Sequence, residues 1–318
     1  MKPNLPLAAA AVAALVVSII LAVAFLGAGC GTESAPTTSQ VTGLTLEQVR
    51  NAECAVQFDG GMLVFTLVDG SYQSGQGGGD PSQADRVTVT MSEVVAFGDL
   101  NGDGVGDAVI AVHVTKDGSG NGQGAAGNSA STYVIALVAK GGKPVQGGYH
   151  LAGLGALVDS LASADGQIVA NATIPGQEDP TGAPKVPIVA TLRLPFAGGL
   201  LLHTSQTSET PAGDVRAVTI GSPEPGATVS DSFTIAGAVT IAPFENNLVY
   251  HVYNDQMTEL AVGPLMVDAP DYGAPGTFRL VMDLASSDYS GRIFVTVSDL
   301  SAADGSILAM GSIELVVE

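Results

Sequence analysis

The chain opens with an uncharged apolar run, residues 7–29, and then changes character. Beyond it, apolar residues come in short bursts separated by Gly, Asn, Asp and Pro. RVTVTM (86–91) alternates with period two, as a half-buried strand does. MLVFTLV (62–68) runs into Asp69-Gly70, a hairpin-type turn. AVIAVHVT (108–115), YVIALVA (133–139), residues 167–174 after Asp165-Gly166, and residues 186–194 predict further strands. The polar stretch HTSQTSETPAGDV (203–215) reads as a linker. A second set of strands is predicted over 217–220, 233–241, 248–253, 277–283, 292–298 and 312–317. Short strands at regular turns within about one hundred residues are the pattern of a sandwich. The single helical expectation is TLEQVR (45–50), with Thr45 as its N-cap. The reading is an all-β, mainly antiparallel chain with a β-rich domain over 44–202, a linker over 203–215 and a β-sandwich over 216–318.

Similarity between LASADGQIVA (161–170) and LSAADGSILA (300–309) reflects a shared strand-Asp-Gly-strand hairpin and no duplication.

The first thirty residues carry targeting information. Lys2, the apolar run and the small residues Gly27-Ala28-Gly29 before Cys30 follow signal-peptide logic. The run is also long enough to span a bilayer, which takes ~20 apolar residues. Gly27-Ala28-Gly29-Cys30-Gly31 resembles the lipobox of bacterial lipoproteins, with Gly27 where the usual Leu stands. That resemblance implies cleavage after Gly29 and lipid attachment at Cys30. Two anchors therefore stand side by side: a lipidated Cys30 or an uncleaved helix. Both place the remainder outside the cytoplasm, attached to the membrane. Residues 30–43 are small and polar and read as a flexible tether.

Charge narrows the partners. Eleven basic residues against thirty-one acidic ones give a net charge of −20. Such a surface repels nucleic acid and anionic headgroups. Cys54 is the one cysteine besides Cys30, so with Cys30 lipidated no disulfide forms within the chain. His113, His150, His203 and His251 are scattered, and no metalloprotease, nucleophile-elbow, P-loop or dinucleotide motif is present. The Gly-rich stretches at 75–79 and 118–127 open no helix and read as loops.

One segment carries chemistry. FGDLNGDGVGDAVI (97–110) places Asp99, Asn101, Asp103 and Asp107 at alternating positions among small residues. Calcium takes 6–8 hard oxygen ligands. The spacing turns Asp99, Asn101 and Asp103 inward, the Val105 carbonyl adds an oxygen, and Asp107 a further carboxylate. The loop matches the start of an EF-hand, but Ile110 stands where the twelfth-position Glu would be, and its flanks are strand-like. With Phe97-Gly98 before it, the loop is similar to the calcium loops of FG-GAP and related extracellular β repeats. A structural Ca2+ is the cofactor this implies.

Two wider resemblances follow. LVDGSYQ (67–73), VAFGDLNGDGVGDA (95–108), YVIALVAKGGKPV (133–145) and SADGQIVA (163–170) place 44–195 among a group of bacterial lipoproteins, which it resembles. IGSPEPGATVSDSFTIAGAV (220–239), GTFRLVMDL (276–284) and SAADGSILAMGSIELVV (301–317) resemble the immunoglobulin-like domain of bacterial spore-germination and envelope proteins (Gmad type). The second likeness implies an immunoglobulin-like sandwich that binds or spaces and does not catalyse. The expected function is an exported, lipid-anchored surface binding or scaffold protein with a structural calcium site and no catalytic activity. Its partners would be the membrane and an envelope protein or cell-wall component, with no nucleic acid. The alternative is an envelope hydrolase whose site leaves no sequence motif, assembled near His113.

Overall fold

The computed structural model describes residues 43–74, 86–116, 130–175, 184–195, 199–271, 273–302 and 305–318. The apolar run, Cys30, the tether up to residue 42 and both Gly-rich stretches lie outside these residues. Among the described residues, no helix is long and apolar enough to cross a membrane. Residues Val41–Glu318 form one compact unit.

The chain enters through a single helical turn, α1 (Leu46–Val49). Thr45 caps it reciprocally: its Oγ1 accepts from the Gln48 N–H, and the Gln48 Oε1 accepts from the Thr45 N–H at 2.9 Å. That capping box satisfies two otherwise orphaned donors. After it come β1 (Glu53–Phe58) and β2 (Gly61–Thr66), paired only with each other. Asp59-Gly60 joins them with positive φ at both residues, the type I′ geometry that matches strand twist.

A five-stranded antiparallel sheet follows, in chain order: β3 (Ser71–Gln73), β4 (Val87–Gly98), β5 (Asp107–Lys116), β6 (Ser131–Lys140) and β7 (Lys143–Leu154). Strands β5 and β6 are buried on nearly every residue, because both sheet faces are covered. On one face, Ile110, Val112, Ile135 and Leu137 pack with Val49, Val56, Phe65 and Leu67 of α1 and the β1–β2 ribbon. On the other, Val109, Ala111, Val134 and Ala136 pack with Ile168, Ala170, Ile188 and Leu192 of a third layer. That layer is β8 (Leu157–Ala164), β9 (Gln167–Pro175), β10 (Pro184–Arg193) and β11 (Leu202–Glu209). Two apolar faces explain why β5 and β6 read as continuous apolar runs and not as alternating ones.

The ribbon is held by side chains standing in for a neighbouring strand. Gln146 accepts from the Ala55 N–H at 2.7 Å and donates to its carbonyl at 2.8 Å. The Tyr133 hydroxyl donates to the Gln57 carbonyl at 2.6 Å, and the Tyr149 hydroxyl accepts from the Gln57 N–H at 3.2 Å.

The third layer continues into the C-terminal half. Residues 203–215, whose polar composition predicts a linker, contain most of β11, which pairs with β10 and with β20 (Ile307–Val317). Gln206, between β10 and β20, and Ser208, between β10 and the two-residue strand at Val215–Arg216, are buried despite their polarity. Before β20 come β12 (Val215–Arg216), β13 (Val218–Ser222), β14 (Thr228–Val229), β15 (Ser232–Val239), β16 (Asn247–Asn254), β17 (Glu259–Asp268), β18 (Gly276–Asp283) and β19 (Gly291–Leu300). They form a sandwich: β13, β15 and β18 make one face, and β17, β16, β19 and β20 the other. Phe233, Ile235, Phe278 and Met282 meet Leu248, Val252, Ile293, Val295 and Leu315 in its core. The all-β, mainly antiparallel architecture read from the sequence is the one observed, with β14 against β20 as a parallel pair.

Candidate metal centre

The Asp-rich loop connects β4 to β5, so its two ends are neighbouring positions of one sheet, Gly98 opposite Asp107. Gly98 leaves room there for the neighbouring β8. A Cβ on it would lie 2.6 Å from the Ser163 hydroxyl oxygen of β8. Inside the loop, Gly102 and Gly104 take φ of +76° and +79°, a region that favours glycine. Gly104 occupies the sixth position counted from Asp99, where calcium loops make their sharp turn.

Asp99 organises the winding. Its Oδ1 accepts from the N–H groups of Gly102 (2.7 Å) and Asp103 (3.2 Å), and its Oδ2 from Gly104 (2.8 Å). These amide bonds, that of Gly104 foremost, hold its carboxyl below the ordinary carboxylate range. Asp103 Oδ1 accepts from the Val105 N–H at 2.8 Å, while its Oδ2 accepts from the Asn101 side-chain amide at 2.9 Å. Asp107 differs: it is fully buried, and its two oxygens accept from the N–H groups of Leu100 (2.9 Å) and Ala139 (2.8 Å). It ties the base of the loop to β6. The Val105 backbone sits between Gly104 and Gly106, and the Gly106 carbonyl accepts from the Leu44 N–H at 2.8 Å. The described chain thus enters the fold against this loop.

Asp99, Asn101 and Asp103 are brought together on the exposed side of the loop, and Asp107 stands behind them. Among the described residues, no three His, Cys, Asp or Glu side chains are gathered closely enough to hold a metal in this conformation. The donor chemistry nevertheless fits a hard cation. Asp99 Oδ1 spends both lone-pair directions on amides, but Asp99 Oδ2 and the two Asp103 oxygens accept one N–H each and keep a second direction. Cys30 lies outside the described residues.

His113 is not beside the loop. It lies well along β5 from Asp107, roughly 20 Å away on an extended strand. Its Nδ1 is 2.9 Å from the Thr132 hydroxyl, which itself donates to the Ala156 carbonyl at 2.6 Å. Nδ1 is therefore the donor, and burial lowers the pKa of the ring.

What the sequence concealed is a pairing of two other histidines. His150 of β7 and His203 of β11 pack edge to face with ring centroids 4.7 Å apart. They line a cavity of about 410 Å³ with Leu151, Leu154, Ile188, Gln206 and Ile307. No spacing rule joins residues this far apart on separate strands.

The sandwich decides what can be said of kinship. Residues 217–306 match the family model of Gmad2, the immunoglobulin-like domain of bacterial spore germination. The match covers the sandwich from β13 up to the turn before β20, and it agrees with the two-faced core described above. No curated protein matches the chain. The Gmad2 domain accordingly carries the known kinship, and the loop and the histidine pair lie in or against the half that precedes it.

Proposed function

We propose that the chain is an exported, membrane-anchored binding or scaffold protein that presents its Gmad2 sandwich outside the cytoplasm, with calcium tightening the β4–β5 loop. The observation that carries this reading is the Gmad2 match over residues 217–306, a domain described from bacterial spore germination. Support for export comes from the apolar run before Cys30. Support for calcium comes from the winding of the loop about Asp99 and from Gly104 at its sharp turn. Asp99, Asn101, Asp103 and the Val105 carbonyl would hold the ion, with Asp107 at the base; the ion would supply charge neutralisation and no chemistry. The partner would be an envelope protein or a cell-wall component.

The test has two arms on the full chain. Expressed in a bacterium fed a labelled fatty acid, the protein should enter the membrane fraction and carry label, and Cys30→Ala should lose the label. Recovery of unlabelled wild-type protein in the cytosol would overturn the export reading. In detergent, millimolar calcium should raise the melting temperature relative to magnesium or chelator, and Asp103→Ala should abolish the rise. Ligand at a hundredfold excess over its dissociation constant adds about 2.7 kcal/mol. Equal melting temperatures in calcium and chelator would remove the ion from the account.

A further inference from the structure

The cavity at the seam between the two halves holds a polar group that the fold leaves unanswered. His203 Nε2 is inaccessible to solvent and has no hydrogen-bond partner. A buried nitrogen left unpaired costs stability unless something binds it. Its protonation state can be worked out. Burial first, and the neighbouring His150 second, depress the ring's pKa to about 3, so the imidazole is neutral. The Ser205 backbone acts in the opposite sense, the effect of a carbonyl accepting a ring N–H. With Nε2 unpartnered, that proton belongs on Nδ1, and Nε2 presents a bare lone pair. His150 is likewise neutral, its pKa lowered to about 4 by burial.

Two neutral imidazoles in contact, one of them with a bare buried nitrogen, have the donor chemistry of metal ligands. A ligating histidine characteristically donates its other N–H to a carbonyl or carboxylate, which fixes tautomer and ring orientation. With metal–nitrogen bonds of about 2.0–2.1 Å, two imidazoles on one tetrahedral ion have centroids roughly 5 Å apart. The observed 4.7 Å is close to that.

We propose that His150 and His203 bind a borderline divalent transition metal, Zn2+ or Cu2+, at the seam between the N-terminal β layers and the Gmad2 domain. The site is distinct from the Asp loop in position and in chemistry: imidazole suits Zn and Cu, whereas carboxylate and carbonyl oxygens suit calcium. The protein supplies two nitrogens, and no third His, Cys, Asp or Glu among the described residues joins them. A small rotation of the His203 ring brings Nε2, closed off from solvent in this conformation, onto the cavity that the ring already lines, where water or a small donor ligand completes the shell. Affinity is therefore micromolar and not that of a closed structural site. Because β11 and the turn before β20 both line the cavity, the ion would stiffen the junction through which the two halves share a sheet.

The experiment titrates Zn2+ alone into the full chain in detergent by calorimetry. The expected result is one site of micromolar dissociation constant. His150→Ala and His203→Ala should each weaken it at least about tenfold, the size lost even when only a supporting partner of a ligand is removed. His251→Ala, a ring held by Glu259 at 2.7 Å within the sandwich, and Asp103→Ala should leave it unchanged. Zinc heat that is absent, or undiminished in both seam variants, overturns the proposal. Because a variant at the seam can lose its fold, the wild-type Cu2+ complex is read independently by electron paramagnetic resonance. Splitting from two imidazole nitrogens is expected, and a spectrum of oxygen ligands alone overturns the site.

Discussion

The Asp loop and the seam between the halves solve the same problem in opposite ways. Both must find partners for charged or lone-pair groups held by the fold, in the loop mostly at the surface with Asp107 buried, at the seam out of water. In the loop the carboxylates find most of their partners within a few residues: Asp99 takes amides from Gly102 to Gly104, and Asp107 closes back on Leu100, reaching out of the loop only for the Ala139 N–H of the adjacent β6. At the seam the partners come from strands far apart in sequence. Arg193 of β10 pairs with Glu314 of β20, and Ser312 donates to the Thr204 carbonyl at 2.7 Å. Arg216 approaches Asp299 at 3.4 Å without hydrogen-bond geometry, and Asp299 Oδ2, like His203 Nε2, has no hydrogen-bond partner. Local turns satisfy their polar groups by chain connectivity. A junction between halves must satisfy them by docking, and here it does so incompletely. Unsatisfied buried groups of this kind are where ligands bind or where stability is given up.

The largest effect should come from breaking the satisfied side of the comparison. Asp107→Ala removes the acceptor of two N–H groups, one fully buried and one partly buried. At about 1–3 kcal/mol for each buried donor left unpaired, the loss is about 3 kcal/mol, read from chemical denaturation. In Asp107→Asn the new side chain keeps one acceptor but sets an amide N–H2 against the other donor, so this variant should fall between. A loss near zero for alanine would mean that water replaces the carboxylate, and that the loop is no better satisfied than the seam.

The contrast also explains which features the sequence disclosed. The loop was legible because its partners are local, and spacing encodes local contacts. The type I′ turns at Asp69-Gly70 and Asp165-Gly166 were legible for the same reason. Strands β5 and β6 announced themselves through apolar runs. Strand β7 did not, because Gly147 and Gly148 sit where Leu194 and Leu201 press close and leave no room for apolar side chains. Strand β17 was hidden by Gly263-Pro264, and β11 by its serines and threonines, which reach strand neighbours on both sides only because β20 and β12 arrive from the other half. The histidine pair was invisible for the reason the seam is under-satisfied: nothing in the local pattern of either strand refers to the other.

A middle-sized effect tests the unsatisfied side. Burial raises the Asp299 carboxyl to about 6, and Arg216 only partly offsets this. A raised folded pKa means the native state disfavours the charged form. Stability from this group is therefore lost as pH rises from the ordinary carboxylate range to about 6, and is level above that. A rise of that size corresponds to roughly 2–3 kcal/mol. Melting temperature measured from pH 4 to about 7.5, a window that brackets the carboxyl's titration, should fall more steeply for wild type than for Asp299→Asn, which carries no charge to desolvate. Parallel slopes would mean that Arg216 compensates the carboxylate fully and that the seam is better satisfied than its geometry indicates.

The smallest effect lies at the foot of the loop, where β8 of the third layer packs against it. Ser163 of β8 stands directly over Gly98 at the foot of the loop, and its buried hydroxyl has no hydrogen-bond partner. It is a seam-type defect set against a loop otherwise free of them. Replacing an unsatisfied hydroxyl by a methyl-sized apolar group removes a desolvation penalty and deletes no bond. Ser163→Ala should therefore be neutral or stabilising, by roughly 0.5 kcal/mol or less after the small loss of packing against Gly98. The urea midpoint would rise slightly or stay, with an unchanged slope. A destabilisation above about 1 kcal/mol would show instead that the hydroxyl has an ordered water as partner. The foot of the loop would then be as fully satisfied as its tip, and the deficit would belong to the seam between the halves.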